Sequence, residues 1–248
     1  MALSIEKLSE EPYASIICYP RSDSAELKKR LKELRKLGVE ALEFCGQKEA
    51  FGIPVLGKGC VGIVTMAYRD SQKMALKIRR VDADRASMET EAERLRRANL
   101  LCVGPKLLSV SRNFLLMQFV EGDLLLAWLE RKGGKASIKR VLRDVLEQCW
   151  RLDTAGLDHG ELSHAPKHVI VDGKNVPFIV DFESASLNRR PSNVTSICQF
   201  LFFSGLTAEK VAAKLGEKDR SLIVSVLRDY KNGRRRENFD RVLNVCGL

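Results

Sequence analysis

Three glycines, Gly57, Gly59 and Gly62, have the spacing G-x-G-x-x-G within the stretch LGKGCVGIV. Because glycine has no Cβ, a backbone with this spacing can approach a phosphate group closely. Several unrelated nucleotide-binding loops use such glycines, and they differ in the secondary structure that follows the loop. The chemistry of this stretch therefore depends on the elements around it.

The residues after the glycines favour strands. IVTMAYR and MALKI flank the turn-like DSQK, and their alternation and β-branched residues predict a β-hairpin. A dinucleotide-binding loop and a Walker A loop both require a helix at this point, so neither fits. The glycine-rich loop of protein kinases lies between two strands, and its pattern G-x-G-x-x-G-x-V is matched here. We therefore predict an ATP-binding loop that runs from Leu56 to Val64.

A lysine and a glutamate stand where such a loop needs them. Strand alternation in MALKI places Ala75 and Lys77 on one face, so Lys77 is predicted to face phosphate with Ala75 beside the adenine. A charged amphipathic helix is predicted over residues 83–99. Of its three glutamates, Glu91 lies on the apolar side, whereas Glu89 and Glu93 fall toward solvent. We predict that Glu91 orients Lys77.

The second half of the chain carries the remaining chemical groups, in DHGELSHAPKHVIV (158–171) and FIVDFES (178–184). The motif HGEL resembles the H-G-D-L of atypical kinases. Taken with the loop, the lysine and the glutamate, these motifs make the chain resemble the protein-kinase-like phosphotransferases, in particular the RIO-type kinases and the small kinase of the KEOPS complex. The resemblance covers residues from about 51 to about 206.

The resemblance implies an ATP-dependent atypical Ser/Thr protein kinase that uses Mg²⁺ or Mn²⁺, with autophosphorylation or ATP hydrolysis as related activities. It implies that Asp181 holds the metal and that Glu161 occupies the position of the catalytic base. His159 resembles the structural histidine of the motif. The resemblance also implies a hinge whose backbone binds the adenine edge, formed by Met117, Gln118 and Val120.

Three positions depart from the family pattern. Glu161 replaces an aspartate and is longer by one methylene group. Pro166 stands where an asparagine metal ligand is expected, and His168, directly before VIV, is a candidate to ligate metal or contact phosphate instead. Glu183 replaces the glycine of D-F-G and adds a second carboxylate near Asp181. The candidate metal ligands are therefore Asp181, His168 and Glu183.

Three alternatives remain open at this point. The altered catalytic residues would suit a nucleotide-binding regulatory pseudokinase. The same fold would also suit a small-molecule phosphotransferase with a substrate pocket built from the C-terminal helices. A metal-dependent hydrolase would use the set His159, His164, His168, Asp181 and Glu183. The hydrolase hypothesis leaves the glycines and Lys77 unexplained.

Composition bounds the class of protein and its partners. The 248 residues are 45% apolar and 30% charged, and the longest apolar stretch is too short to span a membrane. Scattered cysteines and the lack of a visible secretion signal lead us to expect a cytoplasmic protein. The net charge of +10 leaves nucleic-acid contact open beside a solvated helix face. The resemblance implies a folded protein substrate or a ribonucleoprotein partner.

The order of predicted elements indicates an α+β, two-lobed protein-kinase-like fold with a cleft between the lobes. Residues 51–121 form the β-rich N-lobe with its αC helix, and residues 122–248 form a small helical C-lobe. Glu183 and Asn193 are ten residues apart, which is too short for a full activation segment. Asn193 begins a helix at a position where the family usually has an aspartate.

Residues 1–50 lie before the kinase-like part and are predicted to form an αβ extension packed on the N-lobe. YASIICY (13–19) predicts a strand. Asp23 then predicts the start of an amphipathic helix that ends at Gly38, and VEALEFC predicts a further strand.

Overall fold

The structure is a computed structural model that describes residues 2–131, 134–203 and 205–248. The chain divides into two compact units, Met1–Arg96 with Pro105–Phe119, and Arg97–Gly104 with Val120–Leu248. The first is organised on an antiparallel sheet and the second is mainly helical, so the predicted α+β class is confirmed. Among the described residues, no helix is both long enough and apolar enough to cross a membrane.

The first unit is built on an antiparallel sheet that contains the glycine loop. The strands of this unit are β1 (Ala2–Ser4), β2 (Ala41–Glu43), β3 (Lys48–Ala50), β4 (Ile53–Val55), β5 (Gly57–Lys58), β6 (Gly62–Arg69), β7 (Gln72–Arg79), β8 (Leu107–Val110) and β9 (Phe114–Gln118). β3 and β4 form a separate two-stranded sheet. The sheet order is β1-β2-β6-β7-β9-β8, β5 pairs with β6, and β3 pairs with β4. The β6–β7 hairpin predicted after the glycines is therefore confirmed.

The helices of this unit are α1 (Tyr13–Ile17), α2 (Ser24–Lys36) and α3 (Glu89–Leu100), the last of which continues into the second unit. The limits predicted for α2 are confirmed, because the Asp23 carboxylate accepts the Glu26 N–H at 2.8 Å and Gly38 follows the helix with a φ of +72°. The strand predicted at residues 13–19 is wrong, since a short helix forms there. The stretch is short and bounded by prolines. Because most of its residues are buried, its apolar residues do not show whether they repeat every two residues, as in a strand, or every 3.6 residues, as in a helix.

The start predicted for α3 is also wrong, because the helix begins at Glu89 rather than at residue 83. The N–H of Met88 donates to the Arg112 carbonyl at 3.0 Å, so the segment before the helix is bonded to the turn between β8 and β9. A backbone donor that is used in this way cannot extend the helix.

One face of the sheet is covered by the N-terminal fifty residues. Met74, Leu76 and Ile78 of β7 share a buried cluster with Leu31 and Leu34 of α2. Ala75 and Lys77 alternate with these residues and therefore lie on the other face of the sheet. The alternation predicted for MALKI is confirmed.

The basic run 28–36 is only partly a solvated helix face. Arg30 is fully buried, and its guanidinium donates to the carbonyls of Ile17 at 2.8 Å and Arg79 at 2.6 Å. It also reaches Asn113 Oδ1 at 3.1 Å and pairs with Glu26 at 2.8 Å. Arg30 therefore anchors α2 to β7 and to the turn before β9.

The second unit surrounds the predicted catalytic motifs with helices. Its elements are the antiparallel strands β10 (Gly122–Leu124), β11 (Val169–Asp172) and β12 (Pro177–Ile179), and the helices α4 (Leu125–Arg131), α5 (Lys135–Thr154), α6 (Asn193–Phe202), α7 (Leu206–Leu215), α8 (Arg220–Asn232) and α9 (Arg236–Cys246). The loop between α5 and β11 carries HGEL, and the segment after β12 carries D-F-E. An antiparallel bridge between Asp158 and Ser186 joins these two segments.

Candidate active site

The glycine loop is the turn between β5 and β6. Gly57 lies opposite Val64 in an antiparallel pair, and the Leu56 N–H donates to the Val64 carbonyl at 2.9 Å. The Gly59 N–H closes the turn by donating to the Gly62 carbonyl at 2.8 Å. A strand follows the glycines, so the helix-dependent dinucleotide and Walker A loops are excluded.

The glycines of this loop have different reasons to be glycine. A Cβ on Gly62 would lie 2.8 Å from the Ile78 carbonyl oxygen and 3.2 Å from Lys77 Cγ, so the close pairing of β6 with β7 requires its absence. A Cβ on Gly59 would meet nothing nearer than 3.7 Å. Protein atoms therefore explain Gly62, whereas Gly59 leaves backbone surface that a phosphate can approach.

Lys77 and Glu91 form a buried ion pair. Lys77 Nζ lies 2.8 Å from Glu91 Oε1, and the two side chains are 6% and 5% exposed. Glu93, two residues further along the helix, is exposed and pairs with Arg96. The contact predicted from the phase of α3 is present, and its role toward phosphate stays a prediction.

The predicted hinge begins at the end of β9. Met117 pairs with Ala75 of β7, and Gln118 pairs with Met74. The Gln118 N–H donates to the Lys106 carbonyl at 2.8 Å, so this donor is used within the sheet. Val120 belongs to the second unit. Adenine binding by these residues stays a prediction.

Glu161 is the centre of the site in the second unit. One of its carboxylate oxygens accepts a hydrogen bond from the Ser184 hydroxyl. The other lies 3.0 Å from Nε2 of the buried His168, at ion-pair distance but too poorly aligned for a hydrogen bond. Burial acts to raise the pKa of Glu161, but the Ser184 hydroxyl and His168 outweigh it and hold that pKa below its ordinary value. The carboxylate of Glu161 is therefore ionised at neutral pH, and its role as a base stays a prediction.

Asp181 has an unusual backbone conformation. Its φ of 70° and ψ of 75° lie in the left-handed region, which non-glycine residues rarely adopt and which is enriched at functional sites. Glu183 follows two residues later in a 3₁₀ turn. Across residues 2–131, 134–203 and 205–248, no three or more His, Cys, Asp or Glu side chains form a group that could hold a metal ion. Among these described residues, His168, Asp181 and Glu183 are thus not assembled into a three-ligand site.

His159 is a buried residue of the loop between α5 and β11. Its side chain is fully buried, and Nε2 lies 3.1 Å from the Val180 carbonyl, to which it donates as the Nε2–H tautomer. Burial and the nearby His168 lower the pKa of His159 to about 4, so the ring is neutral at neutral pH. The ring holds the loop to the segment that leads to Asp181.

A buried network of polar side chains from α5, α6 and α8 is hydrogen-bonded to the same loop. Asn193 Oδ1 accepts the His159 N–H at 2.8 Å, and Asn193 Nδ2 donates to Asp153 Oδ1 and to the Leu157 carbonyl, each at 2.8 Å. Tyr230 of α8 donates its hydroxyl to Asp153 Oδ2 at 2.9 Å. An amide suits position 193, where the family usually has an aspartate, because Asp153 already supplies the carboxylate of this network.

Sequence reasoning missed Ser184, Asp153 and Tyr230. Ser184 follows D-F-E directly, but its contact with Glu161 joins positions 23 residues apart. Tyr230 and Asp153 are 77 residues apart. Asp153 itself gave a signal in the sequence: it is an acidic residue in phase with the apolar stripe of α5, which indicates a buried carboxylate that needs polar partners.

A cavity of about 400 Å³ lies elsewhere in the second unit, among Gln148, Arg151 and Phe178. Asp144 and Glu147 contribute carboxylates to its wall. The predicted catalytic residues are not among those that line it. The cavity therefore does not locate the nucleotide.

Comparison with known proteins identifies the family. A family model of the RIO domain, an atypical protein-kinase-like domain, matches residues 64–194, and the chain belongs to this family. An uncharacterized protein from Methanocaldococcus jannaschii is 27% identical over 99 residues, which cover 40% of this chain and 83% of that protein. The RIO domain implies an ATP-dependent kinase-like or ATPase-like function, with ATP and Mg²⁺ as the typical ligands of the family.

Proposed function

We propose that this chain is an ATP-dependent atypical Ser/Thr protein kinase that transfers the γ-phosphate of ATP. The observation that carries the proposal is the buried ion pair of Lys77 and Glu91 beside Gly62. A buried ion pair adds little net stability, because desolvation of the two charges offsets their attraction. Its presence next to a glycine loop is explained if Lys77 is held to bind phosphate and Glu91 fixes its position.

The residues of the second unit receive the chemical roles in this proposal. Glu161 is the base that takes the proton of the attacking hydroxyl, and the adjacent His168 orients it. Asp181, supported by Glu183, would hold Mg²⁺ or Mn²⁺ through hard carboxylate oxygens. The metal, when bound, neutralises charge on the phosphates.

The test combines nucleotide binding with turnover. Wild-type protein is incubated with γ-labelled ATP and Mg²⁺, and ADP, free phosphate and protein-bound label are measured. We expect Glu161→Gln to lose turnover by about 10²-fold or more while ATP still raises the melting temperature, because the amide cannot accept a proton. His164→Asn, at an exposed histidine three residues away, is the matched control and should turn over normally.

Other outcomes assign other functions. A thermal shift with ATP but neither ADP nor label would identify a nucleotide-binding regulatory pseudokinase. ADP formation that depends on an added small alcohol or amine, without protein label, would identify a small-molecule phosphotransferase. The absence of any thermal shift with ATP and either metal would contradict both the kinase proposal and the pseudokinase alternative.

For the partner, we infer a nucleic-acid component with a phosphate backbone. Lys28, Lys29, Lys32 and Lys36 are exposed on one side of α2, opposite its buried apolar side. Such a face should bind single-stranded RNA with an affinity that falls steeply with salt.

Lys28→Glu/Lys32→Glu should weaken binding and flatten the salt dependence. The same charge change at exposed positions of α5, Lys139→Glu/Arg140→Glu, is the control, and an equal effect would contradict the assignment to α2.

A further inference from the structure

The hydroxyl nearest to the proposed base belongs to the chain itself. Ser184 is half-buried in the 3₁₀ turn after Asp181, and its hydroxyl donates to Glu161 Oε1. A kinase base makes this contact with the hydroxyl that it deprotonates. The hydroxyl of Ser184 therefore has the hydrogen bond expected of a phosphate acceptor.

The contact between Glu161 and Ser184 is held by the backbone on both sides. Asp158 and Ser186 exchange N–H···O hydrogen bonds of 2.9 and 2.8 Å. Arg189 Nη2 donates to the Ser184 carbonyl at 2.5 Å, and Arg189 Nε donates to the Asp158 carboxylate at 2.9 Å. These bonds fix the segment of Ser184 against the segment of Glu161.

Gly160 makes this arrangement possible. Its φ is +91°, and a Cβ there would lie 2.9 Å from the Ser184 carbonyl oxygen and would fall on the Arg189 guanidinium. The glycine next to Glu161 therefore serves the approach of the Ser184 turn.

We propose that Ser184 is an intramolecular phosphate acceptor of this kinase-like chain. The inference rests on the proposed function, because it needs bound ATP and Glu161 as the base. In the reaction, the Ser184 Oγ–H bond breaks and its proton passes to Glu161 Oε1. Oγ forms a bond to the γ-phosphorus of ATP, the bond from that phosphorus to the β–γ bridging oxygen breaks, and ADP leaves. The product is phosphoserine at position 184.

The surroundings of Ser184 limit how far the reaction proceeds. The Arg189 guanidinium is bonded to the Ser184 carbonyl, close enough to balance part of the new phosphate charge. The phosphorylated side chain can no longer donate to Glu161 and places a second negative charge beside it. The reaction therefore stops at one phosphate in this turn and lowers later ATP turnover.

Peptide mapping of the full chain tests the assignment. Wild-type protein is incubated with γ-labelled ATP and Mg²⁺ and then digested with trypsin. Cleavage after Lys174 and Arg189 releases a peptide whose serines are Ser184 and Ser186. We expect Ser184→Ala to lose the label in this peptide and Ser186→Ala to keep it. Ser184→Thr should be labelled as phosphothreonine, which keeps the test valid if the alanine variant does not fold.

The concentration dependence distinguishes transfer within one chain from transfer between chains. Labelling of Ser184 should keep the same rate constant over a hundredfold dilution, and active chains should not label a Glu161→Gln chain. Label at Ser184 that appears only between chains would overturn the intramolecular assignment.

Failure of this inference differs from failure of the proposed function. ADP formation with label elsewhere, or with none on the peptide, would overturn the role of Ser184 and leave the kinase proposal standing. The absence of both ADP and label in wild type would overturn the two together.

Discussion

The ammonium of Lys77 on β7 lies 2.8 Å from the carboxylate of Glu91 on α3, and both side chains are almost fully buried. The pair joins the central strand of the sheet to the helix that comes after it in the chain. The neighbouring Glu93, on the exposed side of α3, offers a matched control on the same helix.

Loss of one partner should destabilise the fold because it removes the opposite charge that lies 2.8 Å from the other buried group. We expect Lys77→Met to lower the free energy of unfolding by about 3–5 kcal/mol, and Glu91→Leu to do the same. The double variant should recover part of this loss, since both charges of the pair are then replaced by apolar side chains. Urea unfolding measures the four free energies of the cycle. Glu93→Leu should change stability by less than about 1 kcal/mol, and a comparable loss there would contradict the assignment.

The loop glycines should separate folding from binding. Gly62→Ala should lower stability by about 1–3 kcal/mol, because its Cβ meets a backbone carbonyl that cannot move aside. Gly59→Ala should leave the melting temperature of the free protein nearly unchanged, because the added methyl group would lie 3.7 Å from the Gly62 carbonyl oxygen, an ordinary van der Waals contact. It should nevertheless weaken ATP binding measured by calorimetry. An unchanged ATP affinity in Gly59→Ala would show that no phosphate approaches this backbone.

His159 should make the stability of the fold fall with pH already above the pH range in which ordinary carboxylates take up protons. Its pKa is about 4 in the folded chain and 6.5 when unfolded, so the unfolded state binds more protons between these values. Stability is therefore complete above about pH 6.5 and is lost as pH falls toward 4, by an amount on the order of 3 kcal/mol. Unfolding curves at stepwise pH values measure this slope. His159→Asn should flatten it whatever its own stability, and His164→Asn should not.

The amide at position 193 should be preferred over the acid that the family usually has there. Asn193→Asp removes two donated hydrogen bonds and sets a second carboxylate beside the buried Asp153, so we expect a loss of a few kcal/mol. The swap Asp153→Asn/Asn193→Asp restores one amide and one carboxylate and should recover part of that loss. Thermal unfolding of the wild type and of these two variants measures the loss and its recovery, and a fully stable Asn193→Asp would contradict the prediction.

Local patterns were sufficient where one element decides the outcome. The phase of α3 selected Glu91 over Glu93, the alternation of β7 selected Lys77, and strands on both sides of the loop identified its type. The cap at Asp23 likewise located the start of α2. These signals depend on periodicity and on hydrogen bonds within a few residues, which the order of residues determines directly.

Short apolar segments were beyond such reasoning. Tyr13–Ile17 forms a helix although its composition favours a strand, because five residues span too little of either period to distinguish them. Arg30 shows that a run of charged residues is an equally limited guide to burial. It belongs to a basic run, yet packing brings Asn113 and two carbonyl groups around it, so a cation lies in the core.

The sequence by itself determined the family, the α+β class and the residue types of the candidate site, because motif spacing and periodicity are local properties. Only the tertiary structure decided which side chains of distant loops and helices meet. Ser184 contacts Glu161 and Tyr230 contacts Asp153 across separations of 23 and 77 residues. Such contacts depend on how loops and helices close on one another, and no periodic pattern of residues encodes that closure.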